Sequence, residues 1–391
     1  MTGRNRAAAP PRAIAPGDVV AAFSIALDEW TAAQIIRVDA ADERAAVLEL
    51  DWSGPEPASA ADLGDVAPLR LTHHSWDGAL SYCNYEWVLP RSYKVIGALP
   101  LLHDEPSRSY STGWRLGDQL ARQRRWDAGV RADAADPWTA DYTGAEINDL
   151  LDRPDDPHTD IRSLKVGGVE SLDCDRLVRR FPNLTDLTLR GELGLLSAAA
   201  ALNELGSLQR IHIIDLFGMG RDDLLLPRNV PALEALLLYS VPAEYAAAMR
   251  STWRPEMPNG TYVDVHNART PDWVAENRNN PLRHWDGRAH ISGARFKKAV
   301  AQYKSTRRAV MAVLSGDPGG DRPARLVEIG RQYGEAFNRL DDRTPFIETE
   351  EREDLFAALD HIVDEAEAAH GPGLAWARES LISGVEDVRD W

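Results

Sequence analysis

IRSLKV at 161–166, LTDLTL at 184–189, LQRIHI at 208–213, LEALLL at 233–238 and GTYVDV at 260–265 are one pattern read five times. Each places apolar residues at its fourth and sixth positions, and the first four segments also carry one at the first. The segments begin at 161, 184, 208, 233 and 260, so the intervals are 23, 24, 25 and 27 residues. Three have similar lead-ins: FPN at 181–183, LGS at 205–207 and VPA at 230–232. Alternation over so few residues predicts a short strand with one buried face. Strands recurring at a near-constant interval predict stacked, neighbouring units. A single unit could not bury its own apolar side.

Between the strands run return segments. Asp175–Arg180 and Ala198–Leu205 read as short helices packed behind them. An L-x-x-L-x-L core at a 20–29-residue period resembles the leucine-rich repeat family. That resemblance implies an α/β array with parallel strands over residues 141–272. The family usually places Asn or Cys three residues after the last core leucine. Here Val169, Glu192, Leu216 and Val241 stand there, so no asparagine ladder is expected.

The residues between the apolar positions point to the opposite face of the sheet. They are Ser163, Lys165 and Gly167; Asp186, Thr188 and Arg190; Arg210, His212 and Ile214; Ala235, Leu237 and Tyr239; Tyr262, Asp264 and His266. Charged and aromatic side chains on an extended, rigid surface suit a protein partner. The expected partner-binding residues are Lys165, Asp186, Arg190, Arg210, His212, Leu237, Tyr239, Tyr262, Asp264 and His266, centred on Arg210, His212, Tyr239 and Tyr262. The competing expectation is that a flanking domain folds over this face.

Upstream, Val19–Leu27, Ala33–Val38 and Ala45–Leu50 are apolar runs separated by charged or turn residues. With Val66–Leu71 and Tyr93–Leu99 they predict a small barrel-like antiparallel β domain over 16–140. Trp30, Trp52, Trp76, Trp87, Trp114, Trp126 and Trp138 fall there and are read chiefly as core. Val19–Leu27 and Ala33–Val38, followed by Trp87 and Val95-Ile96-Gly97, resemble the SH3-like immunity proteins of bacterial toxin systems. The resemblance implies a toxin-neutralising role. Residues 1–15 read as a disordered tail.

Downstream, residues 273–391 read as a helical domain. Apolar residues at helical spacing predict helices over His290–Leu314, Arg325–Leu340, Thr349–His370 and Leu374–Val388, with Gly316–Gly320 ending the first. The expected fold class is therefore α+β multidomain, with an N-terminal β-rich domain, a central repeat array and a C-terminal helical domain.

Composition narrows function. The chain has 391 residues and a formal net charge of −17, which opposes nucleic-acid binding by the whole molecule. Arg283, Arg288, Arg295, Lys297, Lys298, Lys304, Arg307 and Arg308 form a local basic run. The nine acids between Glu348 and Glu367 predict either internal charge pairing or two separately solvated faces. No window has the apolar length of a membrane span. The Arg-bearing N-terminus is cut by Asp18, so no secretory signal is read. Cys83 and Cys174 alone suit a reducing cytoplasm. No Walker A loop, G-x-S-x-G elbow or CxxC occurs. Gly218-Met219-Gly220 leads to Asp223 where a phosphate loop needs glycine. His73, His74, Asp77 and Cys83 have zinc-ligand chemistry but match no standard spacing. The expectation is a non-enzymatic interaction module with no catalytic residues, metal or cofactor. The alternative is an enzyme or small-molecule binder with a cleft between the N-terminal domain and the repeats.

Overall fold

A computed structural model describes residues 13–131, 136–154, 156–316, 321–342 and 344–391. Most of the expected tail (residues 1–12) and most of the Gly316–Gly320 stop signal (residues 317–320) lie outside the described residues. The chain divides into two compact units, Met1–Thr270 and Pro271–Trp391.

The first unit opens with an antiparallel sheet. Its strands are β1 (Asp18–Ser24), β2 (Glu29–Asp39), β3 (Arg44–Gly54), β6 (Tyr82–Glu86) and β7 (Lys94–Ala98), in spatial order β6-β3-β2-β1-β7. A two-stranded pair, β4 (Arg70–Leu71) and β5 (Ala79–Leu80), lies between β3 and β6 in sequence. Of the expected strand Val66–Leu71, Arg70–Leu71 forms β4, and Pro68 makes an isolated antiparallel bridge to Leu50 of β3. Val20, Ala22, Ala33, Ile35 and Val47 bury one side of β1–β3, and Val19, Ala21, Ala32 and Leu50 the other. Burial on both faces explains why these strands read as continuous apolar runs instead of alternating ones. The tryptophans meet the expectation in part. Trp114 is fully buried, Trp30 and Trp52 are partly buried against the second cluster, and Trp76 is exposed. An indole is large enough to pack at a core's margin while keeping one edge wet.

Helix α1 (Asp118–Asp127) leads into a six-stranded parallel sheet. Its strands are β8 (Thr139–Thr143), β9 (Ser163–Asp173), β10 (Asp186–Ser197), β11 (Arg210–Phe217), β12 (Ala235–Tyr239) and β13 (Tyr262–His266), side by side in chain order. Leu164 pairs with Leu187, Leu187 with Ile211, Ile211 with Leu236 and Leu236 with Val263. The first four of these central residues are buried in one continuous core that runs from Ile147 to Val265. The return segments are α2 (Gly144–Asp152), α3 (Cys174–Arg180), a 3-10 turn at Ala199–Glu204 and α4 (Ala243–Trp253). The sheet has one strand more than the five segments predict. Strand β8 pairs Ala140 with Leu164, which is 164 − 140 = 24 residues later and so keeps the interval. It carries Ala140 and Tyr142 where the others carry Leu, Ile or Val, which hid it.

The turn chemistry is unusual. Gly168, Leu193, Asp215, Ser240 and Asn267 all adopt left-handed backbone, with φ between 50° and 63°. Four of them stand four residues beyond the central apolar position; Ser240 and Asn267 directly follow their strands, whereas Gly168 and Asp215 lie within β9 and β11. Leu193 stands two residues later, because β10 shifts register between Arg190 and Gly194. Gly194 makes that detour possible, since a Cβ there would sit 1.8 Å from the Val169 carbonyl oxygen. No asparagine ladder satisfies these turns. Val169, Leu216 and Val241 are buried apolar residues, and the buried Asp215 supplies the polar link. Its carboxylate accepts from Leu193 N at 3.0 Å and from Ser240 Oγ at 2.9 Å.

Ala198 is also left-handed, at φ 51°, but exposed and without such support. A left-handed L-residue costs about 1–2 kcal/mol, and glycine's extra unfolded freedom returns about 0.4–1 kcal/mol of that. Ala198→Gly is therefore expected to raise stability by about 0.5 kcal/mol, read as a higher urea midpoint at unchanged slope. A lower midpoint would contradict this account.

The second unit is helical: α5 (Pro271–Asn277), α6 (Gly293–Leu314), α7 (Arg322–Asp341), α8 (Thr349–His370) and α9 (Ala375–Glu386). The last four match the expected helices within a few residues. Its core gathers Trp285, Phe296, Tyr303, Tyr333, Phe337, Leu355, Ile362 and Leu381. Among the described residues, no helix is long and apolar enough to cross a membrane.

Candidate functional site

Parallel pairing turns the solvent-facing residues of the second sheet into three cross-strand rows. The first is Thr139, Ser163, Asp186, Arg210, Ala235 and Tyr262. The second is Asp141, Lys165, Thr188, His212, Leu237 and Asp264. The third includes Arg190, Ile214, Tyr239 and His266. Ladder hydrogen bonds hold the backbones, so these side chains stand on a stiff platform.

The first row is covered from within the same unit. Arg210 Nε donates to Asp186 Oδ1 at 2.5 Å, and its Nη1 donates to the Trp114 carbonyl at 2.7 Å. Arg115 reaches the same Asp186 oxygen at 3.4 Å. Beside them Ser92 N donates to Glu234 Oε1 at 2.8 Å, and Arg91 bonds the Pro231 carbonyl at 2.6 Å and also Thr261. Burial works against the Arg210 charge. The field and hydrogen bond of Asp186 outweigh it and hold the guanidinium's pKa above the ordinary arginine value. Burial pushes Glu234 upward, opposed by its bonds to Ser92. Tyr262 is half-buried in the same region, near Glu86 and Trp114. Of the expected binding residues, Asp186 and Arg210 therefore serve a contact inside the chain and Tyr262 lines the space beside it, because the segments after β6 and β7 fold onto this end of the strands.

The second and third rows remain open within this unit. Lys165, Arg190 and His266 are exposed, while His212, Leu237, Tyr239 and Asp264 are half-buried. The arrangement is graded. Lys165, Arg190 and His212 lie toward β9–β11, Ile214, Leu237 and Tyr239 toward β11–β12, and Asp264 pairs with His266 on β13. Burial, reinforced by Arg190, lowers the His212 pKa, so its imidazole is neutral at pH 7 and joins the apolar part.

Other candidates are occupied by local contacts. His73 Nε2 lies 3.0 Å from Gln119 Oε1, and its Nδ1 lies 3.0 Å from His74 Nδ1. Cys83 sits on β6 and donates weakly to the Asn84 carbonyl. Among the described residues, no three His, Cys, Asp or Glu side chains are grouped to hold a metal. Asp223 accepts from Gly220 N at 2.9 Å, which closes the glycine turn on itself. In the helical unit Arg288 bonds Glu350 at 2.8 Å and Asp354 at 3.1 Å, and Arg307 bonds Glu365 at 2.6 Å. These pairs bring basic and acidic runs together, the first of the two outcomes the charge pattern allows. Sequence reasoning missed Asp215, Ser24, Asp118 and Gln209. Nothing in their spacing marks them, since each acquires its setting from distant chain.

No protein-family model, curated protein or solved structure matches the chain.

Proposed function

We propose that this chain is a non-enzymatic, leucine-rich-repeat-like interaction protein of the cytoplasm, acting as a scaffold, specificity factor or toxin-neutralising partner. It binds a protein through the open second and third rows of the parallel sheet. The observation that carries this reading is the graded surface itself. Lys165 and Arg190 stand beside Ile214, Leu237 and Tyr239 on registered strands, outside the contact that covers the first row. Aromatic and arginine side chains on a rigid base are the residue types that dominate protein interfaces. A partner offering a carboxylate beside an apolar side chain would match both parts. The compartment fits two thiols that are both free.

Affinity capture on the full chain, run beside a Lys165→Glu, Arg190→Glu, Tyr239→Ala triple variant, tests the reading. The wild type should retain a stoichiometric protein that the variant holds at least ~10-fold more weakly. Equal retention by a variant with native circular dichroism would refute it.

A further inference from the structure

Where the first row meets the N-terminal sheet there is a cleft of about 290 Å³. Its wall contains three guanidiniums and four carboxylates. The guanidiniums are committed: Arg115 and Arg210 to Asp186, and Arg162 to the Asn183 carbonyl at 3.2 Å. Asp186 is matched by those two arginines, Asp136 by Arg125 and Glu234 by Ser92. Asp118, in the first turn of α1, has no hydrogen bond or ion pair among the described residues. Its burial raises its pKa, and more distant arginines only partly offset this. An inward-facing carboxylate without a direct ion pair or hydrogen bond is costly unless something supplies one.

Two further polar groups in the same wall lack partners. Ser24 is 3% exposed, and its buried hydroxyl makes no hydrogen bond. It lies against the start of α1, where a Cβ built on Gly117 would be 2.5 Å from its Oγ. The Gln209 side-chain amide likewise has no partner among the described residues. Phe23, Trp114 and Trp138 add aromatic surface. A small enclosed space with unmet polar groups and aromatic walls has the make-up of a ligand site.

We propose that this cleft binds a small organic amine, with Asp118 as counter-ion to its ammonium, Ser24 and Gln209 as hydrogen-bonding partners, and the aromatic wall against its hydrocarbon part. An anion fits less well, because every guanidinium in the wall already has an acceptor. An ammonium gains both a charge-assisted hydrogen bond and attraction to the aromatic faces. The site is separate from the open rows and does not rest on the partner-binding reading.

Isothermal calorimetry on the full chain with tyramine, tryptamine and agmatine tests this, with 4-ethylphenol and 4-hydroxyphenylacetate as a neutral and an anionic match to tyramine. At least one amine should bind saturably below about 10 mM. Tyramine, if it is that amine, should bind at least ~10-fold more tightly than either match. Asp118→Asn should weaken the amine by at least ~10-fold, and Ser24→Ala by less, with the fold intact by circular dichroism. Three results would each overturn the proposal: no saturable amine binding, equal affinity for tyramine and its neutral match, or amine binding indifferent to Asp118→Asn in a folded protein.

Discussion

Gly384→Ala is expected to destabilise the helical unit by about 2–3 kcal/mol, although alanine favours a helix over glycine by about 1 kcal/mol. Two opposing magnitudes decide the sign. A Cβ at Gly384 on α9 would lie 1.9 Å from the Val327 carbonyl oxygen of α7 and 2.9 Å from Arg331 N. A Cβ at Gly330 on α7 would lie 2.1 Å from the Leu381 carbonyl oxygen of α9. The clashing atoms are backbone and cannot rotate away, so the helices must separate and uncover Leu381, Val385 and their neighbours. Hydrogen exchange should show lost protection over 322–341 and 375–386, with protection over 163–266 retained. Gly293→Ala is the control. Its Cβ meets nothing within 4 Å, so the variant should be neutral or slightly more stable. A Gly384→Ala protein as stable as wild type would show that the helices are not this close.

The second large effect is pH-dependent. Glu49 on β3 is 3% exposed, accepts from Ser81 Oγ at 2.8 Å and from Gly117 N at 3.0 Å, and lies near Asp118. Burial raises its pKa from 4.5 to about 7, with the Asp118 charge adding to the effect and its two hydrogen bonds opposing it. The folded state therefore holds this proton more tightly than the unfolded state. Its contribution to stability is fully present below pH 4.5 and is lost as pH rises toward about 7. At 1.36 kcal/mol per pKa unit the loss is on the order of 3 kcal/mol. Glu49→Gln keeps both hydrogen bonds, with its carbonyl accepting from Gly117 and its amide donating to Ser81, and removes the buried charge. Urea titrations at pH 5 and pH 8 should show a wild type that weakens with rising pH and a variant that weakens less. The variant should be the more stable protein at pH 8. Burial also pushes Glu86, Asp118 and Glu234 upward, so the difference between the two proteins reads Glu49 together with its interaction with Asp118. Parallel profiles would sink the prediction.

Much of the architecture was legible because it follows from local patterning. The five segments from 161 to 265 give their strands and cross-strand register, since each repeats the same alternation at nearly the same interval. The four long helices of 293–386 follow from apolar spacing alone. Strand β8 was not legible, because Ala140 and Tyr142 carry too little hydrophobic signal and its pairing with β9 secures it. The left-handed turns were hidden for a similar reason. Leu193 gives no hint of φ 59°, and the Asp215 carboxylate that meets its N–H comes from the next unit.

The candidate surface divides in the same way. Periodicity alone determined which side chains face away from the core, because a strand's alternation is a property of its own backbone. Only the tertiary structure decided which of them stay accessible. Arg210 is claimed by a carbonyl 96 residues earlier in the chain, and Ser24 packs against Gly117 at the start of α1, so that it lines the same cleft as Asp118. Such encounters depend on how separate stretches pack in space, and no spacing within one stretch encodes them.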